Sequence, residues 1–377
     1  MTPPKSNPIQ YDLKTGYPDT AALVPHEKLA ASAQQLILSD AATQYAGDLF
    51  GPISAREQIA QFLTNNTTQA AQPDQLVLTA GAIAATDIVC RAVTQPGDVV
   101  VVENPTFFYM MNILRMSHIT LAAAPMTPQG IDLDALAELV AQYGPRLKMV
   151  YTIPSYHNPT GINATPENRR RLVEMAHEHD FKIVEDTTYQ WLYFDSPPPP
   201  LCRHYDQQGG VVISIGSFSK TIMPSLRLGW IWADSIEQAR QLVAFKGDAA
   251  ASALTAGMVG SFIGQGYYEA QLEHARSHYG ERCAALVTAL HETLPEWVEW
   301  QAPEGGYFVW LTLPEDLQAE TVLRISQARG ADFMPGRASF LNGAEDRYLR
   351  LCFTVMEPEH LRAGAAIIAD SIRAARG

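Results

Sequence analysis

Short β-branched, apolar runs alternate with helical patterns through the middle of this chain. That alternation constrains the fold more than any other feature. Strand-like runs stand at 75–79, 99–102, 148–152, 182–185, 211–215 and 229–232. Between several of them lie helical stretches such as 166–179, where Leu172, Val173 and Ala176 recur at helical spacing. Strands separated by helices pair in parallel, so a mostly parallel sheet covered on both faces is expected, an α/β fold. Ligands of such sheets sit beyond the carboxyl ends of the strands, and polar residues just after strands become the first candidates for chemistry.

The remainder differs in style. A long helical pattern runs from Tyr267 to Leu294, charged on one side through Glu269, Glu273, Arg276 and Arg282. Strand runs at 307–313 and 348–353 and a closing helix from Pro358 follow, which makes an α+β unit. Residues 1–45 read as loop-rich and are expected to pack with that unit. The expected division is a large domain of 47–285 and a small domain of 1–46 with 286–377. The segment 249–264 is rich in Ala, Gly, Ser and Thr. It reads as a helix packed on small residues, too weakly apolar to span a bilayer. No repeat at periods of roughly 20–50 residues is visible, which removes solenoids and propellers.

Charge narrows the partners. A net charge of −13 leaves no broad basic face for nucleic acid or an anionic membrane, and neither is expected as a partner. Any anion must therefore be caught by a few placed donors. Cys90, Cys202, Cys283 and Cys352 lie far apart without a CxxC pair, so neither a disulfide framework nor a metal site is expected. Reduced thiols fit a cytoplasmic location. The opening MTPPKSNPIQYD has no basic segment leading into an apolar run, which predicts no signal peptide.

Four segments carry residue types suited to one chemistry. After the run at 211–215 come Ser217, Ser219, Lys220 and Arg227. A lysine amine can condense with an aldehyde, and serine hydroxyls with an arginine can hold a phosphate. On its own such a lysine reads as a surface residue in a polar loop. After the run at 182–185 come Asp186 and Tyr189, suited to a carboxylate partner for a cation or equally to capping a turn. The third, Asn158-Pro-Thr-Gly161, follows a strand and is also a plain turn sequence. In the fourth, Gly81, Ala82 and Ile83 open a helix, where backbone N–H groups favour a phosphate. Near the C-terminal end, Arg350 offers a planar guanidinium for a carboxylate, with Arg347 as the competing choice.

In this order the motifs resemble the signature of the fold-type I pyridoxal 5′-phosphate (PLP) enzymes, the class I/II aminotransferases. The resemblance runs from Gly16 to the C-terminal helix. It is stronger for the 2-aminoadipate aminotransferase-like subgroup, whose fold also occurs in MocR-type regulators. It implies a mostly parallel seven-stranded sheet flanked by helices, with a smaller α+β domain. It implies that Lys220 carries PLP as a Schiff base and that Asp186 keeps the pyridine nitrogen protonated. Asn158 and Tyr189 then bond the phenolic oxygen of PLP, and Phe107 stacks on its ring. Gly81, Ala82, Ile83, Ser217, Ser219 and Arg227 form the phosphate cup. Ile83 and Ala84 replace side chains that are often polar in the subgroup, so Ile83 is expected to serve through its backbone. Arg350 holds the substrate carboxylate, with Asn158 beside it and Gly16 in a loop near the substrate. Tyr45 reaches across a homodimer interface toward the partner's phosphate, so the active site is shared.

The implied activity is amino-group exchange between an L-amino acid and a 2-oxo acid in a ping-pong cycle. A PLP β-lyase, a decarboxylase or condensing synthase, and a PLP-binding sensor are the alternatives on the same constellation. A nicotinamide dehydrogenase is disfavoured, because the Gly81 segment lacks GxGxxG. Phe107, Tyr17, Tyr156 and Trp191 hint at a roomy apolar pocket, or are core.

Overall fold

The computed structural model describes residues 8–39, 47–247, 251–343 and 346–377. Its main sheet is ordered Leu76–Thr79, Gly229–Trp232, Val212–Ser217, Lys182–Asp186, Leu147–Thr152, Val99–Asn104, Thr120–Thr127 and Gly130–Ile131. The five strands from Val212–Ser217 to Thr120–Thr127 run in parallel, while Gly229–Trp232 is antiparallel to both neighbours. The sheet thus has eight strands and not the expected seven. The eighth, Gly130–Ile131, is a two-residue return at the edge, antiparallel to Thr120–Thr127.

The sequence accounts for the central strands directly. Val99 to Val102 and Val212 to Ile215 are buried without interruption, the pattern of strands covered on both faces. Thr120–Thr127 escaped the reading of the sequence. Its run TLAAAPMT is poor in β-branched residues and carries a proline, and as a near-edge strand it is only partly buried.

A four-stranded antiparallel sheet, ordered Glu299–Trp300, Phe308–Thr312, Tyr348–Cys352 and Met334–Pro335, forms the C-terminal part. The helices Tyr267–Thr293 and Pro358–Arg376 pack on each other beside it. Residues 285 and 286 fall within the first of these helices.

The N-terminal segment divides between the two parts. Tyr11–Asp12 pairs in parallel with Ala331–Asp332. His26–Leu38 is a helix where a loop was expected, and it packs on the Ala253–Gly264 helix. It buries little beyond Leu29 and Ser32, so its apolar periodicity is faint. The small residues of Ala253–Gly264 permit close packing: a Cβ at Gly257 would sit 3.1 Å from Leu36, and one at Gly260 2.8 Å from Ala55. Among the described residues no helix is long and apolar enough to cross a membrane.

Candidate active site

Three parallel strands deliver their carboxyl ends to one cavity of about 240 Å³. Lys182–Asp186 ends on Asp186 and leads to Thr188 and Tyr189; Leu147–Thr152 leads to Ile153 and Asn158; Val212–Ser217 leads to Ser219 and Lys220. All of these line the cavity, joined by Tyr17, Ala82, Ile83, Phe107, Tyr109, Met110, Pro224 and Arg227.

Side-chain alternation decides which acid faces the site. Glu185 and Asp186 are adjacent on one strand and point to opposite faces of the sheet. Glu185 accepts bonds from Cys202 N (2.7 Å) and Ser214 Oγ (2.6 Å) in a buried network away from the cavity. Asp186 turns into the cavity wall. There it accepts from Tyr151 Oη at 2.8 Å and from Thr188 N and Oγ1 at 2.9 and 2.5 Å. Burial pushes its carboxyl above the usual range, while these three bonds pull it back. No lysine, arginine or histidine makes an ion pair with it among the described residues. A buried carboxylate lacking a cation suits a ligand that brings its own positive charge.

Lys220 stands on the same wall. Its Nζ donates to the Gly16 carbonyl at 2.7 Å, and its backbone carbonyl accepts from Tyr307 Oη at 2.7 Å. Burial brings its pKa down to about 8, with nearby Arg350 and Arg227 pulling the same way and Cys352 and Asp186 opposing. The lowered value raises the share of neutral, nucleophilic amine near neutral pH.

One end of the cavity is built for an anion. Gly81, at φ +94°, caps the Ala82–Val93 helix, whose first-turn N–H groups have no intrahelical acceptor. A Cβ there would sit 3.0 Å from Arg227 Nη2, so glycine lets the guanidinium close on the helix end. Arg227 donates to Ala80 O at 2.9 Å and to Ser219 Oγ at 3.3 Å, and Ser217 Oγ donates to Ser219 Oγ at 3.0 Å.

Arg350 is buried next to the lining residue Asn158. Its Nη1 donates to Asn158 Oδ1 and its Nη2 to Lys14 O, each at 3.1 Å, and the guanidinium lies 4.1 Å over the Phe308 ring. Its buried Nε–H has no partner among the described residues. Gly16 fits closely here: a Cβ would come within 3.0 Å of Phe308 and 3.4 Å of Arg350 Nη2. Arg347, the competing choice, instead stacks over Tyr348 at 5.3 Å.

Of the residues singled out in the sequence, Lys220, Asp186, Tyr189, Asn158, Phe107, Tyr17, Ala82, Ile83, Ser217, Ser219 and Arg227 line this cavity. Gly81, Gly16 and Arg350 touch members of that set. Tyr45 lies outside the described residues. Tyr156 and Trp191 do not line the cavity: Tyr156 packs against Gly305 and Gly306, and Trp191 meets Phe62 edge-on. No motif in the sequence singles out Tyr151, Thr188 or Tyr307. A tyrosine inside an apolar strand reads as core, and only the strand register reveals what its hydroxyl reaches.

A family model described as aminotransferase class I and II matches residues 8–368. The aromatic-amino-acid aminotransferase 1 of Thermococcus litoralis is 32% identical, over 79% of this chain and 72% of that protein. The 2-aminoadipate transaminase of Thermus thermophilus is 30% identical, over 93% of this chain and 87% of its own. Among solved structures, LysN of Thermus thermophilus, an α-aminoadipate aminotransferase complexed with N-(5′-phosphopyridoxyl)-L-leucine, superposes with a TM-score of 0.88. It is 29% identical, covering 97% of this chain and 92% of that one.

Proposed function

Because the chain belongs to the class I and II aminotransferases and is a PLP-dependent transaminase, we propose that Lys220 is its cofactor-bearing and proton-moving residue. The observation that carries this assignment is the Lys220 amine on a cavity wall shared with Asp186, between an anion cradle and the buried Arg350. The residues fit PLP. Arg227, Ser217, Ser219 and the helix start at Gly81, Ala82 and Ile83 would take the phosphate. Asp186 would face the ring nitrogen, Asn158 and Tyr189 the phenolic oxygen, and Phe107 the ring. When bound, the protonated ring withdraws the electrons released as the Cα–H bond of an amino acid breaks.

The side chains do the rest. Arg350 binds the α-carboxylate, and the Lys220 amine removes the proton at Cα and returns it on the cofactor side. Apolar side chains of Ile83, Phe107, Met110 and Ile153 line the same cavity and lower the polarity around the reacting atoms. Arg350→Gln is expected to lower kcat/KM for amino acids by about 10²–10³-fold. An amine lacking a carboxylate should lose far less. Equal losses for both would remove Arg350 from carboxylate binding.

The donor we propose is an amino acid with an uncharged, apolar or aromatic side chain. Three cations face the cavity or its rim among the described residues: Lys220, Arg227 and Arg350. Each already has a task, so none remains for a second carboxylate. Tyr17 and Tyr109, 65% and 55% exposed, stand at the opening as aromatic surfaces. The test is a panel of amino donors read by cofactor absorbance in a single half-reaction. Aromatic and large aliphatic donors should react at least about tenfold faster than glutamate or 2-aminoadipate, on the apolar area they bury. A preference for the acidic donors would overturn the assignment. Ammonia release in place of oxo-acid exchange would point to lyase chemistry.

A homodimer located in the cytoplasm completes the proposal. Ile37, Leu38 and Ile53 are 53%, 77% and 48% exposed, on helices packed against Ala253–Gly264, and Leu49 is 46% exposed. Exposed apolar side chains beside the segment that carries Tyr45 support a second copy seated there.

A further inference from the structure

Asp186 is held from its own chain on both oxygens. Thr188 occupies Oδ1 through its N–H and its hydroxyl, and Tyr151 occupies one position on Oδ2 at 2.8 Å. The acid itself lines the cavity. Tyr151 is fully buried, and Asp186 is its hydroxyl's sole described partner. Strand register explains the contact. Tyr151 stands opposite Val184, and Val184 and Asp186 share a face of the neighbouring strand, so the phenol reaches diagonally to the acid.

We propose that Tyr151 is a positioning residue for the reaction, its O–H keeping Asp186 ionised and aimed at the ring nitrogen of the cofactor. The inference rests on the reading of Asp186 as that nitrogen's partner. Two influences disfavour a charge on Asp186, burial first and the nearby Glu103 carboxylate second. The donors opposing them are Thr188 and Tyr151. Lys220 and Tyr189 also face the acid from their own elements. Removing the Tyr151 hydroxyl takes away one charge-assisted bond and leaves the acid easier to protonate. The charged pair between Asp186 and a protonated ring nitrogen then fails at a higher pH than before.

The test compares wild type, Tyr151→Phe, Asp186→Asn and the double variant, each as holoenzyme. Phenylalanine fills the same space, so any change comes from the lost hydroxyl. In Tyr151→Phe the acidic limb of the bound-cofactor absorbance titration should move up by about one pH unit. The cofactor dissociation constant should rise about tenfold. In the Asp186→Asn background the same substitution should change neither further. A variant that melts earlier but keeps the wild-type limb and cofactor affinity would show a purely structural tyrosine and overturn the inference. Wild-type limb and affinity in Asp186→Asn would instead overturn the role given to Asp186 itself.

Discussion

Lys220→Ala is expected to lose more than about 10⁴-fold in transamination rate with any amino donor, since one amine serves two purposes. As a nucleophile it anchors the cofactor, and as a base and acid it carries the proton at Cα. The structure prepares it for both. Burial pulls its pKa to about 8, and the Gly16 carbonyl and Tyr307 hold its two ends. Lys220→Arg should fare no better, because a guanidinium stays charged and is a poor nucleophile. The check is single-turnover kinetics with an aromatic donor, alongside the visible absorbance of the protein after free cofactor is removed. Rates within about tenfold of wild type would place the proton transfer on another group.

Asp186→Asn should cost about 10³-fold in kcat, the scale seen when one preorganised electrostatic partner is lost. The amide keeps the shape: its oxygen can still accept from Thr188, while its NH2, which only donates, would face the Tyr151 hydroxyl oxygen. It lacks the negative charge that holds a proton on the ring nitrogen, and with it the electron demand on which the chemistry depends. Glu185→Gln is the informative contrast. Glu185 is equally buried one residue away, but it accepts from Cys202 N and Ser214 Oγ on the other face of the sheet. Its loss should lower the melting temperature and leave the bound-cofactor spectrum at wild type. Were the two variants to behave alike, the alternation argument that selects Asp186 would fail.

Much of this site is legible in the sequence. Lys220, Asp186, Asn158 and Arg227 all follow strand-like runs, and in a parallel sheet the carboxyl ends converge, so separate motifs were expected to meet. The structure places them around one cavity. Tyr151 was not legible, because its contact with Asp186 depends on the register between two strands, which periodicity within either strand does not report. Tyr307 likewise reads as an inward-facing strand residue. Its bond to the Lys220 carbonyl arises from how the C-terminal sheet sits against the central one. For Tyr156 and Trp191 the sequence leaves pocket and core open, and packing against Gly305 and Phe62 makes them core. The helix His26–Leu38 was missed because most of its residues face outward, leaving little apolar pattern to detect.

The most direct test is to reduce the holoenzyme with borohydride, digest it and locate the added pyridoxyl mass by peptide sequencing. The mass should fall on Lys220 alone, and prior incubation with an amino donor should diminish it. Label on another lysine, or a Lys220 peptide of unmodified mass from a fully loaded enzyme, would contradict the account.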